Sequence, residues 1–369
     1  MRSNNVLGLI FSNSCKSTLP ELTNHRTTAS VPIGGKYRMI DFVLSNMTNS
    51  NINNVGIIAK SGFMSLMDHV GSGKAWDLSK KHSGVTILPP YAGVNFANEV
   101  ETLYQLRHYI LDAKEEYVLL TQSNIIYNYL YNGMFEIHEH NNADITLLYK
   151  KMPVPEKLAA PTVLESDENN KVTKVLVKPD IQGECNLYLG TFLIKKDLLL
   201  SLVTRALSEN ELDIYRLLQK WIEEYNVYSC SCDNYCAVIS STSEYFKFNM
   251  QLMDSKIREE LFNVNRPIFT KVRDDAPCKY GLTSNVKNSL VSQGCVIDGE
   301  VENCVISKGV YVAKGAKVSN CIIMQDTKIG ANCNLNYVII DKDVDIKDNK
   351  SLMGTDSYPI YIAKQSVIN

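Results

Sequence analysis

The sequence predicts an α/β chain: a Rossmann-like, mainly parallel sheet domain followed by a parallel β-helix of the hexapeptide type. Three observations predict it. Over residues 1–262, short apolar runs alternate with patterns of helical period. From residue 286 to 369 the period changes, and small or branched apolar residues recur in steps close to six, separated by Gly or Asn. Between them, residues 263–285 lack either pattern and read as a linker.

In the first part, VLGLIF at residues 6–11 reads as a buried strand. Further strands are expected at 55–59, 85–88, 117–120 and 145–149, with helices near 40–48, 99–111 and 129–140. In the second helix Val100, Leu103, Tyr104 and Leu111 fall near one face. Strands then follow at 172–177, 187–194 and 237–239, with helices at 196–207, 213–224 and 243–261. Strand–helix–strand alternation places helices on both sheet faces and ligands at the carboxyl ends of the strands. The loops after Phe11 and Leu120 are therefore where chemistry is expected.

The six-residue steps run through CVIDG, VENCVI, VYVAKG, AKVSNCII and VDI. Each step supplies one flat side of a coil, and its apolar residue points inward. Cys295, Cys304, Cys321 and Cys333 fit as small core residues. The PIYI string at 359–362 is expected to add a strand. Open coil ends and flat faces favour packing on a partner or on another copy.

Composition narrows the function classes. The 369 residues carry 38 Lys plus Arg against 40 Asp plus Glu, a net charge of -2. That balance argues against nucleic-acid binding, which would show a basic excess or stripe. No apolar run is long enough for a membrane span, and the N-terminal run reads as a strand rather than a signal peptide. The ten cysteines show no paired spacing. Cys230, Cys232 and Cys236 form the closest group and are expected to be buried thiols in a reducing cytoplasm, not metal ligands. In His138-Glu139-His140 the two histidines, at i and i+2, do not share a helix face, so a surface helix end is expected. All six histidines precede residue 286, so the coils lack the general base that a β-helix acyltransferase needs.

The most informative contrast lies near the N-terminus. A nucleotide-binding strand is normally followed by a glycine-rich turn, because backbone N–H groups close on phosphates only where Cβ atoms are absent. Here the strand runs into SNSCKST, residues 12–18, without a glycine. The intact string VPIGGKYRMIDFVLSN, residues 31–46, follows.

That string, with GSGKAWDLSKKHSGVTILPPY (71–91) and NNADITLLYK (141–150), closely resembles bacterial glucose-1-phosphate adenylyltransferase, or ADP-glucose pyrophosphorylase, over essentially the whole chain. The resemblance implies a nucleotidyltransferase-like domain and a left-handed β-helix. Family enzymes carry LAGGxGxRLxPLT where this chain reads FSNSCKSTLPELT. By this match Asn13, Ser14 and Lys16 occupy glycine positions, and Thr18 occupies that of an arginine that holds the triphosphate. A threonine hydroxyl does not replace a charged, bidentate guanidinium. Thr28 replaces the lysine of an AKPAV-like string, and Glu99 puts a carboxylate where an anionic nucleotide is expected. Asn124 stands in TQSN where the family's LSGD supplies an aspartate for Mg²⁺. Against the family's DFGxD string the match is ENELD, with Glu209 as a stand-in for the second metal carboxylate. In VLVKP, matched to FxEKP, Lys178 survives and the sugar-binding glutamate is gone; Tyr188 matches a serine before the family's MGxY.

These departures fall on chemistry while the frame strings survive. The pattern resembles the regulatory, non-catalytic GlgD-type subunits, which the resemblance places in heterotetramers with a catalytic subunit in glycogen synthesis. The expectation is a cytoplasmic protein with no catalytic residue and no cofactor of its own, the Mg²⁺ belonging to the catalytic partner. Homo-oligomers are an option in that partner's absence. Lys36 and Arg38, with Arg26 as a weaker companion, are candidates for a phosphorylated-sugar effector site or for structural ion pairs, and Lys178 for a residual phosphate contact. The alternative is an active sugar-phosphate nucleotidyltransferase with altered metal and phosphate ligands.

Overall fold

The structure, a computed structural model, describes residues 3–13, 19–59, 61–80, 83–89, 98–181, 183–272 and 274–369. Val6–Phe11 lies inside a nine-stranded sheet, parallel to Asn54–Ile58 on one side and Tyr117–Gln122 on the other. Val85–Leu88 extends the parallel edge. Beyond Tyr117–Gln122 the long strand Glu184–Lys195 runs antiparallel and joins Ile145–Pro153 and the Thr162–Ser166/Val172–Val177 hairpin. Val227–Ser231 adds parallel to Ile145–Pro153.

Side chains alternate across the sheet as the pleat requires. Leu7, Leu9 and Phe11 join a core with Val100, Leu103, Leu202 and Trp221. Val6 and Ile10 join a second core on the other face with Ile40, Val43 and Phe135. The expected 99–111 helix is two helices, Glu99–Gln105 and Arg107–Asp112, because Leu106 leaves the helical region while staying buried. The expected 243–261 helix is also split, into Thr242–Gln251 and Ser255–Leu261. Asp254 caps the second by accepting from the Lys256 N–H, an Asp preference that an apolar pattern does not register.

The C-terminal part is a left-handed parallel β-helix of two- and three-residue strands in three parallel sheets. In one sheet Leu290 pairs with Val305, Val305 with Ile322, Ile322 with Ile339, and Ile339 with Tyr361. Ile306, Ile323 and Ile340 stack inside, beside the fully buried Cys295, Cys304 and Cys321; Cys333 is likewise buried. The nine described cysteines are free thiols; Cys15 lies outside the described residues. Corners use left-handed backbone at Asn303, Asn320, Asp326 and Asp343, residue types that tolerate it. The coil strands begin at Lys279–Tyr280, inside the stretch read as a linker, because both residues are exposed and leave no apolar mark in the sequence. The 359–362 string supplies the strand Ile360–Ile362.

The two domains share a core. Val305, Ile322 and Ile339 on the outer face of one coil sheet pack with Val31, Ile33, Tyr245, Phe246 and Leu252. Tyr245 fixes this layer by donating its hydroxyl to the Pro32 carbonyl at 2.7 Å. Within it lies a buried ion pair: Arg26 Nη2 donates to both oxygens of Asp341, at 2.7 and 2.9 Å. Arg26 thus makes a structural ion pair between domains, one of its two expected roles. Charge alone, read from sequence, did not reveal a carboxylate 315 residues away.

Candidate functional site

The carboxyl ends of Val6–Phe11 and Tyr117–Gln122 lie side by side, with the Ser123 N–H donating to the Phe11 carbonyl at 3.2 Å. Asn13 Oδ1 accepts the Thr28 N–H at 3.2 Å, and Thr28 is buried at the start of a short 3-10 turn. Lys16 and Thr18 lie outside the described residues. Asn124 is buried and locked to the neighbouring chain: the Ile239 N–H donates to its carbonyl at 2.8 Å, and its Nδ2 reaches the Ile239 carbonyl at 3.4 Å. That neighbour follows the strand Cys236–Val238, which pairs with Ile125–Tyr127, and residues 236–239 contain no carboxylate.

Glu209 does not meet Asn124. It ends the Lys196–Ser208 helix at the surface, where Lys220 and Arg205 pair with it at 3.4 and 3.8 Å. The ENELD string misled because its second acid is a cap: Asp213 accepts the Tyr215 N–H at 2.9 Å and starts the Ile214–Glu224 helix. A divalent cation needs several hard, anionic oxygen ligands. The described residues just past these strand ends offer the amides of Asn13 and Asn124 and the hydroxyls of Ser12 and Ser123, and do not fit Mg²⁺. Glu99 is buried at the start of its helix, where Asn98 caps the chain by accepting the Glu101 N–H; the preceding residues 95–97 lie outside the described set.

Tyr188, the residue matched to the family's serine, lies among aromatic and polar side chains. Tyr188 and Tyr215 meet edge to face at 6.1 Å, and Gln122 Nε2 donates to the Tyr215 hydroxyl at 2.6 Å. The strand bulges between Tyr188 and Thr191, with Gly190 at φ +62°. A Cβ there would sit 3.0 Å from Gln122 Cδ, so glycine is needed for both the bend and the contact. Lys178 is exposed, in a left-handed turn whose N–H donates to the Pro161 carbonyl. It does not join the Tyr188–Tyr215–Gln122 group.

Lys36 and Arg38 do line one site. Pro32–Ile33 and Tyr37–Arg38 form a small hairpin whose Gly34 and Gly35 have positive φ. A Cβ on Gly35 would lie 2.7 Å from Ser292 Oγ and 3.2 Å from the Ile306 carbonyl, so this glycine lets the hairpin touch the coil. Beside the contact opens a cleft of about 520 Å³. Its lining carries Lys36, Arg38, Arg258, Lys271, Lys308 and Lys342, against one lining carboxylate, Asp275. Lys36 is exposed, over the Tyr37 ring. Arg38 Nη1 donates to the carbonyl and hydroxyl of Ser65 at 2.6 and 2.8 Å. Sequence reasoning found the hairpin half of this cleft and missed the coil half, because Lys308 and Lys342 stand at coil corners without any motif.

Among the titratable groups that burial perturbs are His69, Lys342 and His138. His69 Nε2 lies 2.5 Å from Asp41 Oδ1, while Asp41 Oδ2 accepts the Arg38 N–H at 3.0 Å. Burial lowers the His69 pKa more than Asp41 raises it. Burial also pushes Lys342 down to about 7, helped by Arg38 and Arg26. His138 is lowered to about 4 by burial and, secondarily, by Lys195. His138 is not at the surface as expected. It turns inward, with Nδ1 2.9 Å from Thr146 Oγ1 and its ring edge-on to Tyr117, while His140 is exposed. The i, i+2 spacing itself separates them, one residue to each side of the helix.

Comparison with known proteins agrees with this architecture. Residues 16–254 match the nucleotidyl transferase family, and residues 276–358 match the GlmU-like C-terminal hexapeptide family. The chain is 33% identical to the glycogen biosynthesis protein GlgD of Bacillus subtilis, over 86% of this chain and 84% of the relative. It is 32% identical to GlgD of Geobacillus stearothermophilus, over 86% and 83%. It is 28% identical to glucose-1-phosphate adenylyltransferase of Halalkalibacterium halodurans, over 85% and 84%.

Proposed function

Because the chain belongs to the nucleotidyl transferase family, with GlgD proteins and glucose-1-phosphate adenylyltransferases among its relatives, we propose that it is a regulatory, non-catalytic subunit. It binds a catalytic glucose-1-phosphate adenylyltransferase in the cytoplasm and raises the formation of ADP-glucose for glycogen. The observation that supports this is the neutral pair of strand ends: Asn124 locked to Ile239, with no carboxylate in residues 236–239. Nucleotidyl transfer needs a metal to neutralise phosphate charge, and this arrangement gives that metal no anionic anchor. Mg²⁺ then belongs to the partner, and the chain carries no cofactor.

The assembly proposed is a heterotetramer with the catalytic subunit, formed through the faces of both domains. The second function is anion sensing: the six-cation cleft between hairpin and coil takes a phosphorylated sugar, whose phosphates suit a basic cleft of this size.

The test has two arms. The purified chain is incubated with ATP, glucose 1-phosphate and Mg²⁺, and ADP-glucose is measured; formation no faster than the protein-free control is expected. The chain is then co-expressed with a catalytic subunit, and a stable complex with about five- to 150-fold higher activity is expected, the usual span of a coupling of about 1–3 kcal/mol. Turnover by the chain alone supports instead an active nucleotidyltransferase with altered ligands.

A further inference from the structure

We infer that Lys342 makes anion capture in the hairpin–coil cleft a proton-linked event: the empty cleft favours its side chain as a neutral amine, and anion entry makes that amine take up a proton from the solvent. This rests on the reading of the cleft as an anion site and adds how that site is regulated.

Lys342 follows the strand Val338–Ile340 at a coil corner and faces the cleft. The nearest carboxylate is its own neighbour Asp341, and that group is already saturated. Arg26 Nη2 donates to both of its oxygens, the Tyr361 hydroxyl to Oδ2 at 2.6 Å, and the Lys342 backbone N–H to Oδ1 at 2.7 Å. The Lys342 side chain makes no hydrogen bond or ion pair among the described residues. The other charges that act on it are positive: Arg38 from the hairpin, Arg26 from the domain core and Lys364 from the next coil. An amine in a desolvated place, facing cations and a neutralised carboxylate, favours its uncharged form.

The remaining cleft groups do not compete for this role. Arg38 and Arg258 stay charged at any accessible pH. Lys308 has Asp275 at 3.7 Å, Lys271 has Asp68, and Lys36 is exposed. His69 is held by Asp41, and burial lowers its pKa. Lys342 instead sits near neutrality, pushed down to about 7. An anion within reach favours the ammonium, so binding raises that value and takes up a proton wherever the free amine was neutral. Below the free value the ammonium is already present and no uptake occurs.

The probe is inorganic sulfate, which has no titratable proton in this range. Calorimetric titration of the full chain at pH 6 and pH 8, in two buffers of different ionisation enthalpy, counts protons. Close to one proton taken up at pH 8, nearly none at pH 6, and about tenfold weaker binding at pH 8 are expected. Lys342→Arg, whose charge is permanent, is expected to bind sulfate equally at both pH values with no uptake. Lys342→Met is expected to lose the uptake and bind weakly; melting curves confirm that each variant is folded. Sulfate binding by the unaltered chain at pH 8 without proton uptake, or uptake that persists in Lys342→Arg, overturns the inference and leaves the anion site standing. Absence of sulfate binding at both pH values overturns the anion-site reading, and this inference with it.

Discussion

At Asn124 an aspartate would be the smallest possible change toward a metal site, and it is not expected to create one. Its side chain faces the Ile239 carbonyl, so Asn124→Asp exchanges a donor for an acceptor against an acceptor at 3.4 Å. The variant is expected to lose about 1–3 kcal/mol of stability in denaturant titration and to form no ADP-glucose. Arg26→Ala leaves Asp341 buried with its guanidinium gone, and should cost about 3–5 kcal/mol by the same measurement. His138 predicts a pH dependence. Its pKa is about 4 in the fold against 6.5 for an ordinary histidine, so the unfolded chain binds more protons between these values. The stability from its burial is present in full above about pH 6.5 and is lost as pH falls toward 4. Denaturant titrations across this range should show a decline of at most about 3 kcal/mol from this group, which His138→Gln removes. The place of Asn124 just past a strand end was legible, since the apolar run before it was readable. His138 was misread, and the choice between Arg26's two readings stayed open, because their partners, Thr146 and Asp341, are defined only by the folded chain.

At the level of elements, periodicity carried most of the information. Buried strands such as Val6–Phe11 and the six-residue coil steps were readable because each repeats a burial pattern that water enforces. Boundaries failed where a polar or exposed residue decides the geometry: Asp254 starting a helix, and Lys279–Tyr280 starting the coil. Glu209 failed for a related reason, since an acidic string reads the same as a metal site or as a capped helix start. The hairpin at Gly34 and Gly35 is the element on which the cleft depends. Gly35→Ala forces a Cβ into left-handed backbone and against the coil at Ser292 and Ile306. Binding of sulfate, followed by calorimetry, should weaken at least severalfold, while melting shows a loss of about 1–2 kcal/mol from the strained backbone.

Over the whole molecule, two domains are joined by a common apolar layer and the Arg26–Asp341 pair, so the hairpin and the coil form one packed body with the sheet domain. Arg26 lies two residues before Thr28, whose N–H is held by Asn13 at the end of the first strand. The Lys342 corner, next to Asp341, is therefore joined by direct contacts to Asn13 at the end of the first strand. These contacts are the physical path by which the proposed anion binding would bias the rest of the chain. The domain order was legible in the sequence; the joint between the domains was not, because it is made by residues hundreds of positions apart. The most direct test of the account is ADP-glucose synthesis by a catalytic glucose-1-phosphate adenylyltransferase measured alone, with this chain, and by this chain alone. The account predicts background formation by the chain alone and at least fivefold stimulation of the catalytic subunit in a co-purifying complex. Enzyme-like turnover by the chain alone, or no complex and no change in rate, would contradict it.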